Sequence, residues 1–205
     1  MEQSGYNSCL MLAAELVTPV SLSSIFEESD LNDTGIEFDS HVTIFYAGHK
    51  FIDKVELYKD IDELDPKFLI WLKGQKNVYT PVRELFDLGK FENTSDYVIL
   101  ELRHDTEAYE KISGLNEKLM SHYSLTSDFG DYKPHLSLAE LESGLADKYI
   151  LDKRLLKVLD DSLVRFEDLV LSYGQDGVSE YKLHDITHWN SVERFFRVRD
   201  LRREM

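Results

Sequence analysis

The sequence predicts one domain that mixes β-strands with amphipathic helices on a shared core, and three observations carry that expectation. Two short apolar runs, Ser-His-Val-Thr-Ile-Phe-Tyr at 40–46 and Tyr-Lys-Pro-His-Leu-Ser-Leu-Ala at 132–139, each set a His and a hydroxyl residue two apart. On a strand, residues i and i+2 share one face. Residues 106–122 place Tyr109, Ile112, Leu115, Leu119 and Met120 at the three-to-four spacing of a helix. Near the end, Gly174-Gln-Asp-Gly177 separates two strand-like stretches, 163–173 and 178–184, as a hairpin turn does.

The remaining elements follow in chain order. Residues 9–17 form an apolar run closed by Thr18-Pro19 and read as a buried strand. Residues 19–38 are mixed and read as a short helix or loop before the first His strand, 41–47, which Gly48 closes. Asp65-Pro66 opens a helix, with Asp as N-cap and Pro at the first helical position. Phe68, Leu69, Trp71 and Leu72 give this helix an apolar face, and Gly74 ends it. Strands are expected at about 78–88 and 96–103, split by Gly89 and Asn93-Thr94. The helix at 106–122 is followed by a polar loop to Asp131, the second His strand at 133–140, and a helix at 145–160. No Pro/Gly-rich linker interrupts the chain, so residues 1–189 are expected to form either one sizeable domain with a real core or two intimately packed lobes. The tail, 190–205, carries five Arg against three acids, and Val192, Phe195, Phe196 and Leu201 mark an amphipathic helix. It either packs on the acidic body or contacts a partner or a phosphate.

Composition narrows the function. The 205 residues carry a formal net charge of −16. That charge opposes a grip on long nucleic acid, whose affinity comes from phosphate neutralisation, and leaves room for a nucleotide or short oligonucleotide in a local pocket. No apolar run approaches the roughly 20 residues of a membrane span. The start, Met-Glu-Gln-Ser-Gly-Tyr, lacks the pattern of a signal peptide. Cys9 is the only cysteine, which excludes an intrachain disulfide, and a cytoplasmic, reducing location is the expectation.

His-x-Ser/Thr is a short pattern. With 7 His and 26 Ser plus Thr, chance gives about one match, and the chain has four. His104-Asp-Thr106 stands at a strand-to-helix junction, where Thr106 or Asp105 serves as an N-cap. His122-Tyr-Ser124 stands at a helix end, where the dipole favours His. Only His41-Val-Thr43 and His135-Leu-Ser137, 94 residues apart, lie on apolar strands.

These two runs, His41-Val42-Thr43-Ile44 and His135-Leu136-Ser137-Leu138, resemble the signature of the 2H phosphoesterase superfamily, the group that includes the RNA 2′,5′-ligase-like proteins and cyclic phosphodiesterases. Pro134 before the second His and the hairpin at 171–183 are similar to the same family. The resemblance covers about 8–184 and leaves the tail outside. It implies an α+β fold of two similar lobes, each an antiparallel sheet with helices, with a central cleft.

Such a pocket suits phosphodiester chemistry. Thr43 and Ser137 can donate hydrogen bonds to the phosphate oxygens, where negative charge gathers. One imidazole can take a proton from water or a ribose hydroxyl while the other gives one to the leaving oxygen. The spacing does not say which of His41 and His135 does which. Alternation puts Lys133 beside His135, as a candidate for the phosphate charge. Phe45, Phe129, Tyr132 and Tyr173 are candidates for stacking a base. No cofactor and no metal are expected. His184-x-x-x-His188 is the one ligand-like spacing, and it lacks neighbouring ligands.

The expected function is a metal-independent phosphodiesterase acting on a 2′,3′-cyclic phosphate, a cyclic nucleotide or a short oligonucleotide. Two alternatives stand beside it. One is the same chemistry on a nucleotide signal, a 2′,5′-oligoadenylate or cyclic oligonucleotide, which would suppress a defence or second-messenger pathway. The other is a module that binds nucleotides without cleaving them.

Overall fold

The computed structural model describes residues 8–48, 50–92, 94–126, 131–173 and 179–183, with the side chains of 33, 173 and 179–183 outside the description. In chain order the strands are β1 (Ser8–Val17), β2 (Leu31–Ile36), β3 (His41–Tyr46), β4 (Thr80–Pro81), β5 (Phe86–Glu92), β6 (Asp96–Leu102), β7 (His135–Leu141), β8 (Leu163–Tyr173) and β9 (Ser179–Leu183). The helices are α1 (Lys54–Leu64), α2 (Pro66–Gln75), the single turn α3 (Val82–Leu85), α4 (Glu107–His122), α5 (Ala146–Ile150) and α6 (Lys153–Asp160). The fold is α+β, as expected.

Side chains and caps set the helix boundaries. Asp53 opens α1 by accepting from the amides of Val55 and Glu56, and Asp65 opens α2 by accepting from Phe68. Thr106 opens α4 through the amide of Tyr109. α1 lies where no element was expected, although Leu57, Ile61 and Leu64 keep helical spacing behind the Asp53 cap. The helix expected over 145–160 is two helices, because Asp152 caps a second start by accepting from the Arg154 amide. The strand expected at 78–88 is interrupted by α3 after Pro81, and β5 then runs straight through Gly89, which does not split it.

All the strand pairs are antiparallel. The order is β4-β8-β1-β3-β7-β6-β5, with β2 on β7 and β9 on β8. A sheet for each lobe was expected; the strands instead join into one. Its two halves meet at β3 and β7, where Val42 pairs with Leu136. β6 occupies the other edge of β7 along its whole length. The edge facing β3 is shared: from Ala139 on, β2 takes it. The seam is therefore short, and it lies between the two His motifs.

One face of the sheet is apolar. Leu10, Leu12, Val42, Ile44, Leu136 and Leu138 are fully buried there. α4 packs on β3, α2 on β8, and α5 on β5 and β6. Phe68, Trp71, Phe166 and Phe86 form a chain of tilted rings with successive centroids 5.5, 5.8 and 6.4 Å apart. Asp96 is a buried carboxylate at the start of β6. It accepts from the amides of Gly144 (3.0 Å) and Ala146 (2.9 Å), fixing the turn from β7 into α5.

Candidate functional site

The residues between those core positions point to the other face. Val42 and Leu136 are buried, so their neighbours His41, Thr43, His135 and Ser137 turn the opposite way, and all four are half-buried. Extending the Val42–Leu136 pair by one residue each way sets Thr43 across from His135 and His41 across from Ser137. His41 and His135 are then diagonal neighbours, about 7–8 Å apart at Cα. The ring charge of His41 is felt at His135. The four motif residues expected at one spot thus share one patch of one face.

The two imidazoles are tethered alike. His41 Nδ1 lies 2.9 Å from the Asp39 carbonyl oxygen, and His135 Nδ1 lies 2.7 Å from that of Lys133. A carbonyl only accepts, so Nδ1 carries the hydrogen on both rings. Each neutral ring therefore presents the lone pair of Nε2 as a base, and each charged ring presents Nε2–H as an acid.

The hydroxyl of Thr43 lies against the thiol of Cys9 on β1. Burial pushes that thiol up to about 11, with the Thr43 hydrogen bond pulling the other way. Cys9 is accordingly a neutral thiol, able to donate to Thr43 Oγ1 and leave the hydroxyl hydrogen for a ligand. Behind β3, the Tyr132 hydroxyl donates to the Thr43 carbonyl at 2.7 Å, and burial raises its pKa. Tyr132 packs on the core and braces the site strand from the segment that leads into His135.

Phe45, expected to stack a base, is 1% exposed and belongs to the core. The cause is a bulge: Met11 pairs with Thr43 but Leu10 pairs with Phe45, so one residue of β3 is skipped. Ile44 and Phe45 are both buried, and Tyr46, 39% exposed and paired with Cys9, turns out in its place. Phe129 lies outside the described residues, as does the side chain of Tyr173, whose backbone pairs with Ser8. Lys133 is exposed, and its carbonyl, rather than its ammonium, has an observed task at His135.

Two neighbours of His135 went unnoticed in the sequence. The Phe91 ring of β5 meets the imidazole edge-on, with centroids 4.6 Å apart at 74°. Glu101 of β6 pairs directly with His135. Phe91 and Glu101 are too far from either motif in the chain for spacing to reveal them. Burial lowers the pKa of His135 below the ordinary imidazole value; the Lys133 carbonyl and Glu101 pull it up, and His41 pushes it down.

His104 and His122 take the structural places expected. His122 is the last residue of α4 and stands 3.3 Å from Asp60 of α1. Among the described residues no group of three His, Cys, Asp or Glu side chains could hold a metal. His184, His188 and the tail lie outside the described residues. No described helix is long and apolar enough to cross a membrane.

No protein-family model matches the chain. No curated protein matches it in sequence. Among solved structures, it is similar to that of Usb1 from Kluyveromyces marxianus, with 13% identity and a TM-score of 0.46, over 86% of this chain and 98% of that one.

Proposed function

We propose that the chain is a metal-independent phosphodiesterase of the 2H type. Its substrate on this reading is a 2′,3′-cyclic phosphate, a cyclic nucleotide or a short oligonucleotide. The observation that carries the reading is the matched pair of imidazoles across the β3–β7 seam, each held by Nδ1 so that Nε2 is left to a ligand. In hydrolysis, one neutral Nε2 takes a proton from water as the oxygen bonds to phosphorus. The bond from phosphorus to the leaving ribose oxygen breaks, and the other imidazolium gives that oxygen its proton. Thr43 and Ser137 donate to the non-bridging oxygens, where the charge collects. Lys133, exposed at the head of β7, adds a cation near the entering phosphate.

Division into two similar lobes belongs to the same reading, with one lobe built on β4-β8-β1-β3 and the other on β7-β6-β5. The test is a substrate panel in excess EDTA: cyclic mononucleotides, cyclic oligonucleotides, and 2′,5′- and 3′,5′-linked oligomers, with products identified. Turnover of at least one, lost in His41→Ala and His135→Ala, supports the proposal. Saturable binding without turnover of any would replace it with a nucleotide-binding module.

A further inference from the structure

The two imidazoles are equal in tether and unequal in neighbours. His41 pairs across β1 with Ala13, a methyl group that can neither cover the ring nor charge it. His135 has the Phe91 ring against its edge and the Glu101 carboxylate directly across on β6. Glu101 also lies over Gly89 of β5: a Cβ there would meet Glu101 Oε2 at 3.8 Å and Ile99 Cγ1 at 3.6 Å. The carboxylate therefore reaches across the same face as the two His motifs.

We propose that Phe91 and Glu101 are positioning residues that make His135 the proton acceptor and leave His41 the proton donor. This rests on the proposed phosphodiester chemistry for its purpose, but not for its test. Phe91 takes water from around His135, which disfavours the charged ring before reaction. Two charged imidazoles so close would repel, so a charge on His41 further disfavours a proton on His135 before reaction. As the reaction moves a proton onto His135, Glu101 offsets the new positive charge. The carboxylate is not bonded to the ring, since Nδ1 is held by Lys133 and Nε2 is left to the substrate. It acts through space, and an isosteric amide removes that action without removing its bulk.

The charged and titratable groups around His135 are His41 on β3, Glu101 on β6, Asp87 paired with Glu101 from β5, Lys133 at the head of β7, and His104, 4.0 Å from Glu101. His135 titrates low because of burial and the His41 charge, against the pull of the Lys133 backbone carbonyl and the Glu101 carboxylate.

The test is a titration of the His135 ring proton by NMR without substrate, in the full chain and in Phe91→Ala, Phe91→Leu and Glu101→Gln. The expected midpoint lies below that of a free imidazole. It should rise in Phe91→Ala, stay low in Phe91→Leu, which keeps the ring covered, and fall further in Glu101→Gln. An unchanged midpoint in both Phe91→Ala and Glu101→Gln overturns the proposal. So does a fall in Phe91→Ala, the sign expected if the aromatic face were holding a cation. Unmoved methyl resonances of the core residues Leu12 and Ile44 show that each variant has kept its fold. Because the readout needs no turnover, an inactive protein with these shifts would sink the proposed reaction and the acceptor role with it, and leave standing only the hold of Phe91 and Glu101 on the His135 proton. With activity, the acid limb of kcat/KM should move with the midpoint in each variant.

Discussion

Replacing Phe45 with Ala separates two accounts of β3. If simple alternation held, Phe45 would stand in the cleft beside Thr43, and the change would weaken substrate binding at little cost to the fold. The structure places the ring 1% exposed in the core, with its centroid 5.5 Å from that of Tyr123. Removing a buried Phe side chain costs about 3–5 kcal/mol, from lost transfer energy and the cavity left behind. At about 2–4 °C per kcal/mol for a domain of this size, a loss of ~4 kcal/mol lowers Tm by roughly 8–16 °C. The assay is urea unfolding of the two proteins by tryptophan fluorescence and circular dichroism. Trp71 is a suitable reporter because it is 8% exposed within the same core. Cm should fall with m unchanged. Tyr46→Ala is the control: the ring is 39% exposed, so stability should change by less than ~0.5–1 kcal/mol. A Phe45→Ala protein of unchanged stability but raised KM would refute the bulge and return the ring to the cleft.

Two further outcomes follow from polar groups that hold the site strands. Asp96→Ala leaves the amides of Gly144 and Ala146 without their acceptor and should cost about 3 kcal/mol, while Asp96→Asn, which keeps an acceptor oxygen, should cost ~1 kcal/mol; urea unfolding distinguishes them. For Glu140, burial alone would raise the carboxyl above 4.5, but hydrogen bonds from Thr34, Ser95, Tyr97 and Asn32 together outweigh it and lower the folded-state pKa. The resulting stabilisation is present above the unfolded value and is lost as pH falls through the folded one. Glu140→Gln should therefore be less stable than the parent at pH 7, with the gap closing below about pH 4.5 in urea titrations; a gap independent of pH would contradict this.

Much of this site could be read from the chain because it is encoded at period two. His41 and Thr43, and His135 and Ser137, each declare a shared strand face, and buried Val42 and Leu136 confirm the alternation. The sequence also revealed α4, whose apolar spacing and Thr106 cap agree, and the start of α2 at Asp65. β2 was hidden because Leu-Asn-Asp-Thr-Gly-Ile has no apolar alternation; it is a strand because β7 offers it an edge. The bulge at Thr43–Phe45 was hidden for a related reason. It is a property of pairing with β1, and nothing in His-Val-Thr-Ile-Phe-Tyr marks the skipped residue. Phe91 and Glu101 reach His135 through two strand pairings, β5 to β6 and β6 to β7, which no local pattern contains. The expectation of separate sheets failed at one contact, the pairing of Val42 with Leu136.

The central claim is that His41 and His135 act on one phosphorus, and a double-mutant cycle tests it most directly. Turnover of a 2′,3′-cyclic mononucleotide would be measured in excess EDTA for the parent, His41→Ala, His135→Ala and the double variant. Each single change should cost about 10²–10⁴-fold in kcat. Groups that work as a unit are non-additive, so the double variant should be no worse than the poorer single one by more than a few-fold. Losses that multiply, or a parent activity abolished by EDTA, would contradict the account.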